Sequence, residues 1–228
     1  MKYAWLLLDA DNTLFDYDRA EGEALRRTFE AFGDGFEPHY AGVYRQINAQ
    51  IWRQFEQGAI SQQRLRSRRF ELLFEAVGVE LDAASFSPQY LAHLGQGTYL
   101  LDGAEEVVRA LHGRVGLLII TNGLQEVQWP RLANSAIGAY MDGVVISDEV
   151  GVSKPDPRIF DIAFEKMDHP AREEVLMVGD SLTSDMPGGI AYGIDTCWYN
   201  PGQRPRPPEL DIRYEIQRLA DLLPIVEG

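Results

Sequence analysis

Cysteine and long apolar runs are scarce in this sequence, and each shortage excludes a class of protein. Cys197 is the only cysteine among the 228 residues, so neither an internal disulfide nor a cysteine-based metal site can form. The apolar runs, of which 115–120 is an example, are far shorter than the roughly 20 residues that a membrane helix needs. We therefore expect a protein of a reducing, cytoplasmic compartment that has no membrane partner.

Positive charge is also scarce, because 21 lysines and arginines stand against 35 aspartates and glutamates and leave a net charge of −14 at pH 7. Binding to a nucleic acid polymer needs a cationic surface, so we expect no such partner. A small phosphorylated molecule stays possible where a metal ion or a few local cations offset the negative field. The hydrophobic fraction of 45% and the charged fraction of 25% are typical of a globular protein and exclude a disordered chain.

Several short apolar runs predict buried strands, because they lack the alternation of a strand with one wet face. They are residues 4–8, 115–120, 144–146 and 175–178. Segments with helical spacing lie between them, as at 104–111 and 158–167, and the tail at 212–226 predicts a last strand and a short helix. Strands that alternate with helices indicate an α/β fold built on a parallel sheet.

A long interval between the first two apolar runs predicts an inserted domain. It spans about a hundred residues, far more than a single crossover helix needs. Helical patterns fill it at 19–32, 38–57, 61–77 and 87–94, and the second carries one apolar stripe made of Tyr40, Tyr44, Ile47, Ile51 and Phe55. We predict an α/β core of residues 1–15 and 95–228, with a helical domain of residues 16–94 inserted after the first strand. Its basic residues Arg64, Arg66, Arg68 and Arg69 are expected on a solvated helix face rather than in a substrate site.

Polar residues follow the apolar runs, and the topology predicts that they meet. Ligands of an open parallel sheet bind beyond the carboxyl ends of the strands, so these residues should share one crevice. The set is Asp9, Asp11, Thr121, Asn122, Lys154, Asp180 and Asp185.

The residue types in this set suit phosphoryl transfer. Asp9 and Asp11 are two apart, so in an extended chain their side chains face the same way. One carboxylate can attack phosphorus to give an aspartyl-phosphate, and a protonated second carboxyl can donate to the leaving oxygen and later activate water. Packed carboxylates repel each other, and Mg²⁺, which prefers oxygen ligands, relieves that repulsion. Thr121 and Asn122 supply neutral donors to phosphate oxygens, and Lys154 supplies a positive charge.

Four segments resemble, in order, the four motifs of the haloacid dehalogenase-like hydrolase superfamily. They are Asp9-Ala-Asp-Asn-Thr-Leu14, Thr121-Asn-Gly123, Lys154-Pro155 and Gly179-Asp-Ser-Leu-Thr-Ser-Asp185. The resemblance implies a Rossmann-like core, a helical cap at the place of the insertion, a Mg²⁺ cofactor and an aspartyl-phosphate intermediate. It implies that Asp9 is the nucleophile, that Asp11 is the general acid and base, and that Thr121 and Lys154 bind phosphate. The dehalogenases of the superfamily lack a second aspartate at the place of Asp11, so its presence favours a phosphatase.

The same resemblance implies a metal site. Asp9, the backbone carbonyl of Asp11 and the carboxylate of Asp180 would hold Mg²⁺, and Asp185 would either bind the ion or support a ligand. Asn12 stands where many members of the superfamily carry glycine. We expect it to be tolerated, because asparagine accepts unusual backbone angles better than most residues.

A narrower resemblance links the chain to bacterial pyrimidine 5′-nucleotidases that accept unusual pyrimidine nucleoside monophosphates. Segments 5–15, 48–60, 145–156 and 196–200 carry it. It implies a phosphatase for nucleoside 5′-monophosphates such as UMP, dUMP and dTMP, in which the cap selects the base. Trp52, with Asn48 one helical turn away, is the candidate base pocket, and the alternative is that Trp52 belongs to the core of the cap.

Other functions stay open at this point. A phosphatase for phosphoglycolate or a sugar phosphate would use the same core motifs. A phospho-accepting signalling protein would also cluster Asp, Thr and Lys around Mg²⁺, although receiver domains are much shorter and lack a cap. The sequence is compatible with a monomer or a homodimer.

Overall fold

A six-stranded parallel sheet forms the centre of the first of two units in the chain. The structure is a computed structural model, and it describes residues 1–56 and 58–228. The first unit comprises Met1–Tyr17 and Thr98–Gly228, and the second comprises Asp18–Gly97. The boundaries predicted from the sequence lie after residue 15 and before residue 95. Among the described helices, none combines the length and the apolar character needed to cross a membrane.

The sheet has the order β3-β2-β1-β4-β5-β6, and every neighbouring pair is parallel. Its strands are β1 (Trp5–Leu8), β2 (Gly116–Thr121), β3 (Gly143–Ile146), β4 (Val175–Gly179), β5 (Asp195–Tyr199) and β6 (Tyr214–Ile216). Leu8 lies opposite Ile119 of β2 and Val178 of β4. The carboxyl ends of the three central strands are therefore level, and the residues that follow them share one edge. The predicted α/β class is confirmed.

Helices cover both faces of this sheet. They are α5 (Ala104–Leu111), α6 (Gln125–Asn134), α7 (Ser147–Val150), α8 (Pro157–Lys166), α9 (Asp185–Tyr192) and α10 (Leu222–Glu227). Leu6 and Leu8 of β1 belong to a buried cluster that includes Val108 of α5, whereas Leu7 belongs to a second cluster that includes Phe160 of α8. Each such side chain contributes roughly 1.5–3 kcal/mol on burial. Two covered faces explain why the strand sequences are apolar throughout.

The second unit is helical. Its helices are α1 (Tyr17–Ala31), α2 (Pro38–Glu56), α3 (Gln62–Val77) and α4 (Ala83–Gly95). Rings fill its core, where Phe29 contacts Tyr40, Phe74 and Phe86 at centroid distances of 5.1–6.2 Å. The last residue predicted for the second helix, Gln57, lies outside the described residues.

The fourth helix begins four residues before its predicted start. Asp82 accepts hydrogen bonds from the backbone N–H groups of Ala84 and Ser85, and this cap stabilises the first turn. The prediction began the helix at residue 87 and did not recognise the cap.

A chain of buried polar groups crosses the second unit. Asn48 donates to Glu21 (2.9 Å) and accepts from Arg69 (3.2 Å), and all three residues are buried. The Arg69 guanidinium lies 5.0 Å from the centre of the Phe70 ring. Burial raises the pKa of Glu21 to about 7, although Asn48 and Arg45 oppose the rise. Arg69 therefore departs from the expected solvated face, because α3 turns this residue inward.

We predict that Glu21→Gln stabilises the protein more at pH 8 than at pH 5. The carboxyl has a pKa of about 7 in the folded chain against 4.5 for the ordinary group, so wild-type stability falls as the pH rises from about 4.5 to about 7. Glutamine carries no ionisable group and keeps an acceptor for Asn48. The difference in the free energy of unfolding should grow by roughly 1–3 kcal/mol over that range, measured by chemical denaturation at several pH values.

Glu23→Gln is the matched control on the same helix. Hydrogen bonds from Arg26 lower the pKa of Glu23, so the pH dependence from its substitution has the opposite sign and lies below about pH 4.5. Between pH 5 and pH 8 the effect of Glu23→Gln on stability should therefore be nearly constant. If Glu21→Gln changed the free energy of unfolding equally at pH 5 and pH 8, the pKa of Glu21 would not be raised in the folded protein.

Candidate active site

Asp9 lies where β1 ends and is bound to the neighbouring strand β4 and to Lys154. Its backbone N–H donates to Val178 of β4 (2.9 Å), which attaches the loop after β1 to the centre of the sheet. One carboxylate oxygen accepts from the Lys154 ammonium (2.6 Å), and the other lies 3.3 Å from the Thr13 hydroxyl. The side chain is almost fully buried. A strand end thus presents a single carboxylate next to a buried cation.

Lys154 brings three segments of the core together. Its ammonium lies 2.6 Å from Asp9 Oδ1, 2.7 Å from Asp185 Oδ1 and 2.6 Å from the carbonyl of Ile120 on β2. Burial alone would lower the pKa of Lys154, but the two carboxylates outweigh it and hold that pKa above its usual value. The side chain is 1% exposed, so the ion pairs are shielded from water.

Asn122 fixes the backbone of Lys154. Its carboxamide donates to the Lys154 carbonyl (2.9 Å) and accepts from the Lys154 N–H (2.8 Å). Thr121, at the end of β2, is buried and accepts from the N–H of Gly123 (3.1 Å). The predicted role of Asn122 as a phosphate donor stays a prediction, and its side chain has a second use in orienting the lysine.

Three carboxylates can share one cation. Oxygens of Asp9, Asp180 and Asp185 all lie within 4.8 Å of one another. Burial and the neighbouring carboxylates raise the pKa of Asp180 to about 8, and burial is the main reason that the pKa of Asp9 is about 7. Lys154 neutralises only one of these charges. An all-oxygen set with excess negative charge fits a hard divalent cation.

Asp185 and Asp180 contribute to this set in different ways. Asp185, the first residue of α9, is 1% exposed and accepts from the N–H of Ser181 (3.0 Å) besides its ion pair with Lys154. A Cβ on Gly179 would overlap the Asp185 carboxylate, so the glycine makes room for it. Asp180 is half-buried, and its backbone carbonyl accepts from Trp198 Nε1 (3.0 Å) and Arg204 Nη2 (2.7 Å). These two hydrogen bonds fix the backbone of Asp180, and its carboxylate is more accessible to a metal ion than that of Asp185.

Asp11 has a different set of partners. One carboxylate oxygen accepts from Gln128 Nε2 (2.7 Å), and the other is paired with Arg131 Nη1. Both partners belong to α6 and are fully buried. Asn12 adopts φ 60°, the left-handed conformation for which asparagine was expected to be tolerated. Neither Gln128 nor Arg131 is predicted from the sequence as a site residue, although their spacing of three places them on one face of a helix.

The two candidate cap residues lie in the second unit. Asn48 is buried and bound to Glu21 and Arg69 within that unit. Trp52 is partly buried, and its ring meets that of Phe55 edge-on with 5.8 Å between centroids. Their roles towards a substrate stay predictions.

Comparisons with known proteins agree on one family. The model of the haloacid dehalogenase-like hydrolases matches residues 3–193. The crystal structure of YfnB from Bacillus subtilis, classed as a HAD-hydrolase and bound to magnesium, is similar to this chain with a TM-score of 0.94 and 35% identity, and the match covers 100% of both chains.

Two of the more similar curated relatives carry the name of a pyrimidine 5′-nucleotidase. The pyrimidine 5′-nucleotidase YjjG of Escherichia coli is 36% identical over 222 residues, which are 97% of this chain and 97% of that protein. The pyrimidine 5′-nucleotidase PynA of Streptococcus pneumoniae is 35% identical over 224 residues, which are 98% of this chain and 94% of that protein.

We predict that Asp180→Asn weakens Mg²⁺ binding more than Asp185→Asn does. Asp180 offers the more accessible carboxylate, whereas Asp185 is engaged with Ser181 and Lys154. Titration calorimetry should give a loss of tenfold or more in affinity for Asp180→Asn, about 1.4 kcal/mol. Asp185→Asn should instead produce the larger fall in melting temperature.

The exposed carboxylate of Asp211 provides the matched control, since Asp211→Asn removes one negative charge from the surface of the same unit. A stronger effect of Asp185→Asn than of Asp180→Asn on Mg²⁺ affinity would make Asp185 the direct ligand.

Proposed function

This chain belongs to the haloacid dehalogenase-like hydrolase family, and we propose that it is a Mg²⁺-dependent phosphatase for nucleoside 5′-monophosphates, pyrimidine ones in particular. One observation carries the proposal, namely the buried Asp9 carboxylate held by Lys154 beside the carboxylates of Asp180 and Asp185. A nucleophile, a cation and a metal-binding set at one sheet edge suit phosphoryl transfer. The names of the relatives YjjG and PynA support the substrate class.

The proposed reaction has two steps. An oxygen of Asp9 attacks phosphorus, the bond from phosphorus to the nucleoside oxygen breaks, and the Asp11 carboxyl gives its proton to that oxygen. The Asp11 carboxylate then takes a proton from a water molecule, whose oxygen attacks phosphorus. The phosphorus–Asp9 bond breaks, so inorganic phosphate leaves and both carboxyl groups return to their starting state.

The remaining residues hold the reacting groups. Lys154 orients Asp9, and we assign contacts with the phosphate oxygens to Lys154 and Thr121. Asp9, Asp180 and the backbone carbonyl of Asp11 would hold Mg²⁺, with Asp185 in support. When bound, the ion neutralises charge on the phosphoryl oxygens.

We expect a panel of phosphate esters to rank pyrimidine nucleotides first. UMP, dUMP, dTMP and CMP should be hydrolysed with kcat/KM at least roughly tenfold above AMP, GMP, phosphoglycolate and sugar phosphates, because a pocket shaped for one ring disfavours two. Chelation should remove the activity and Mg²⁺ should restore it. The measurement is phosphate release under matched conditions.

Asp9→Asn is the control for contaminating phosphatases, and it should retain less than about a thousandth of wild-type activity. Equal rates on AMP and UMP would contradict the pyrimidine assignment and leave the phosphatase assignment standing. A preference for phosphoglycolate or a sugar phosphate would show that pyrimidine nucleotides are the wrong substrate class. Phosphorylation of Asp9 without phosphate release would indicate a signalling protein.

We assign selection of the base to Trp52, because the core motifs contact only the phosphate. Stacking of a base on an aromatic ring contributes roughly 1–3 kcal/mol, so Trp52→Ala should lower kcat/KM on dUMP by about 10–100-fold. Hydrolysis of p-nitrophenyl phosphate, which carries no base, should change far less.

Phe55→Ala is the matched control, because Phe55 is the ring neighbour of Trp52 on the same helix. Loss of packing would affect both substrates in either variant. If Trp52→Ala slowed both substrates equally, as a packing defect does, Trp52 would belong to the core of the second unit.

A further inference from the structure

Two buried side chains of α6 bind both oxygens of the Asp11 carboxylate. Gln128 donates to Oδ2 at 2.7 Å, and Arg131 is paired with Oδ1. Both donor side chains are 0% exposed, whereas the Asp11 side chain keeps 27% of its surface accessible. Two donors from one rigid helix fix the rotation of the carboxyl group as well as its location.

Two aromatic rings of the segment after Asp11 lie near the Arg131 guanidinium. The guanidinium carbon lies 5.4 Å from the centre of the Phe15 ring and 5.9 Å from that of the Tyr17 ring. A buried guanidinium is costly unless a carboxylate and aromatic faces compensate for its lost hydration. Asp11 and these two rings supply part of that compensation, whereas Arg131 Nε and Nη2 have no hydrogen-bond partner among the described residues. Arg131 therefore packs directly against the segment that carries Asp11.

Gly123 makes the contact with Gln128 possible. A Cβ there would overlap Gln128 Nε2 and lie only 2.9 Å from its Cγ and 3.0 Å from its Cδ. The backbone of Gly123 is outside the left-handed region, so its conformation does not itself demand glycine. The third residue of Thr121-Asn-Gly123 is therefore small because Gln128 occupies the space beside it on the way to Asp11.

We infer that Gln128 and Arg131 are positioning residues that aim the Asp11 carboxyl at the leaving oxygen. The inference rests on the proposed function and deepens it. A carboxyl oxygen has two lone pairs, so Oδ2 can accept from Gln128 and still carry the proton that passes to the leaving group. Misplacement of such a group by about 1 Å can cost roughly 100-fold in rate.

Gln128→Leu tests the inference with little change in side-chain size. Wild type and variant are compared on UMP, whose leaving oxygen needs a proton, and on p-nitrophenyl phosphate, whose leaving group does not. We expect kcat/KM on UMP, which covers the steps up to departure of the leaving oxygen, to fall roughly 10–100-fold, and kcat/KM on p-nitrophenyl phosphate to fall less than about threefold. The later attack of water, in which Asp11 is the base, is common to both substrates and does not enter kcat/KM. Arg131→Lys, which keeps the charge but shortens the reach of the donor, should show a weaker form of the same selectivity.

Two further variants serve as the positive and the negative control. Asp11→Asn should show the same selectivity more strongly, because it removes the acid itself. Gln125→Leu makes the same chemical change at an exposed position of α6 and should leave both rates unchanged.

Gly123→Ala gives an independent test through a double-mutant cycle. Alone, it should displace Gln128 and reproduce the selective loss on UMP. In a Gln128→Ala background, where the space beside residue 123 is empty, Gly123→Ala should add less than about twofold.

Failure of the positioning role and failure of the proposed function give different results. Equal loss of kcat/KM on both substrates, or no loss, in Gln128→Leu overturns the positioning role, as does an additive double-mutant cycle. If Asp11→Asn itself lacked leaving-group selectivity, the acid role in the proposed function would fail and the inference with it. Absence of phosphate release from every ester would overturn the phosphatase assignment and, with it, the inference.

Discussion

The buried ammonium of Lys154 is the contact on which the active-site edge depends. It binds a carboxylate that follows β1, a carbonyl of β2 and a carboxylate that begins α9 after β4. Loss of one partner of a buried ion pair costs about 3–5 kcal/mol, because the remaining charge stays buried without compensation. The three strand ends are thus joined by one group that the proposed chemistry also needs, so stability and function cannot be varied separately at this position.

Two glycines show how closely the loops approach this centre. A Cβ on Gly179 would overlap the Asp185 carboxylate, and one on Gly123 would overlap Gln128. Each glycine admits a functional or positioning side chain that comes from several residues further along the chain. The motifs therefore encode two kinds of information, namely the reacting groups and the space that those groups require.

The sequence was sufficient to predict the parallel sheet, because apolar runs without alternation indicate strands that are covered on both faces. It was also sufficient for the convergence of Asp9, Lys154 and Asp185 at one edge. It did not reveal that Arg131 and Arg69 are buried, since a charged residue on an amphipathic helix is solvated in most proteins. Only the packing shows that Arg131 meets Asp11 and that Arg69 meets Asn48.

Charge balance links cation binding to substrate binding in the proposed enzyme. With Asp9, Asp180 and Asp185 ionised, the ammonium of Lys154 leaves two negative charges in excess, in a protein whose net charge is already −14. Burial, and after it the neighbouring carboxylates, raise the pKa of Asp9 to about 7 and that of Asp180 to about 8. A phosphate dianion would meet the same field. A divalent cation cancels the excess, so each of the two ligands makes the binding of the other more favourable, and by linkage the coupling is the same in both directions.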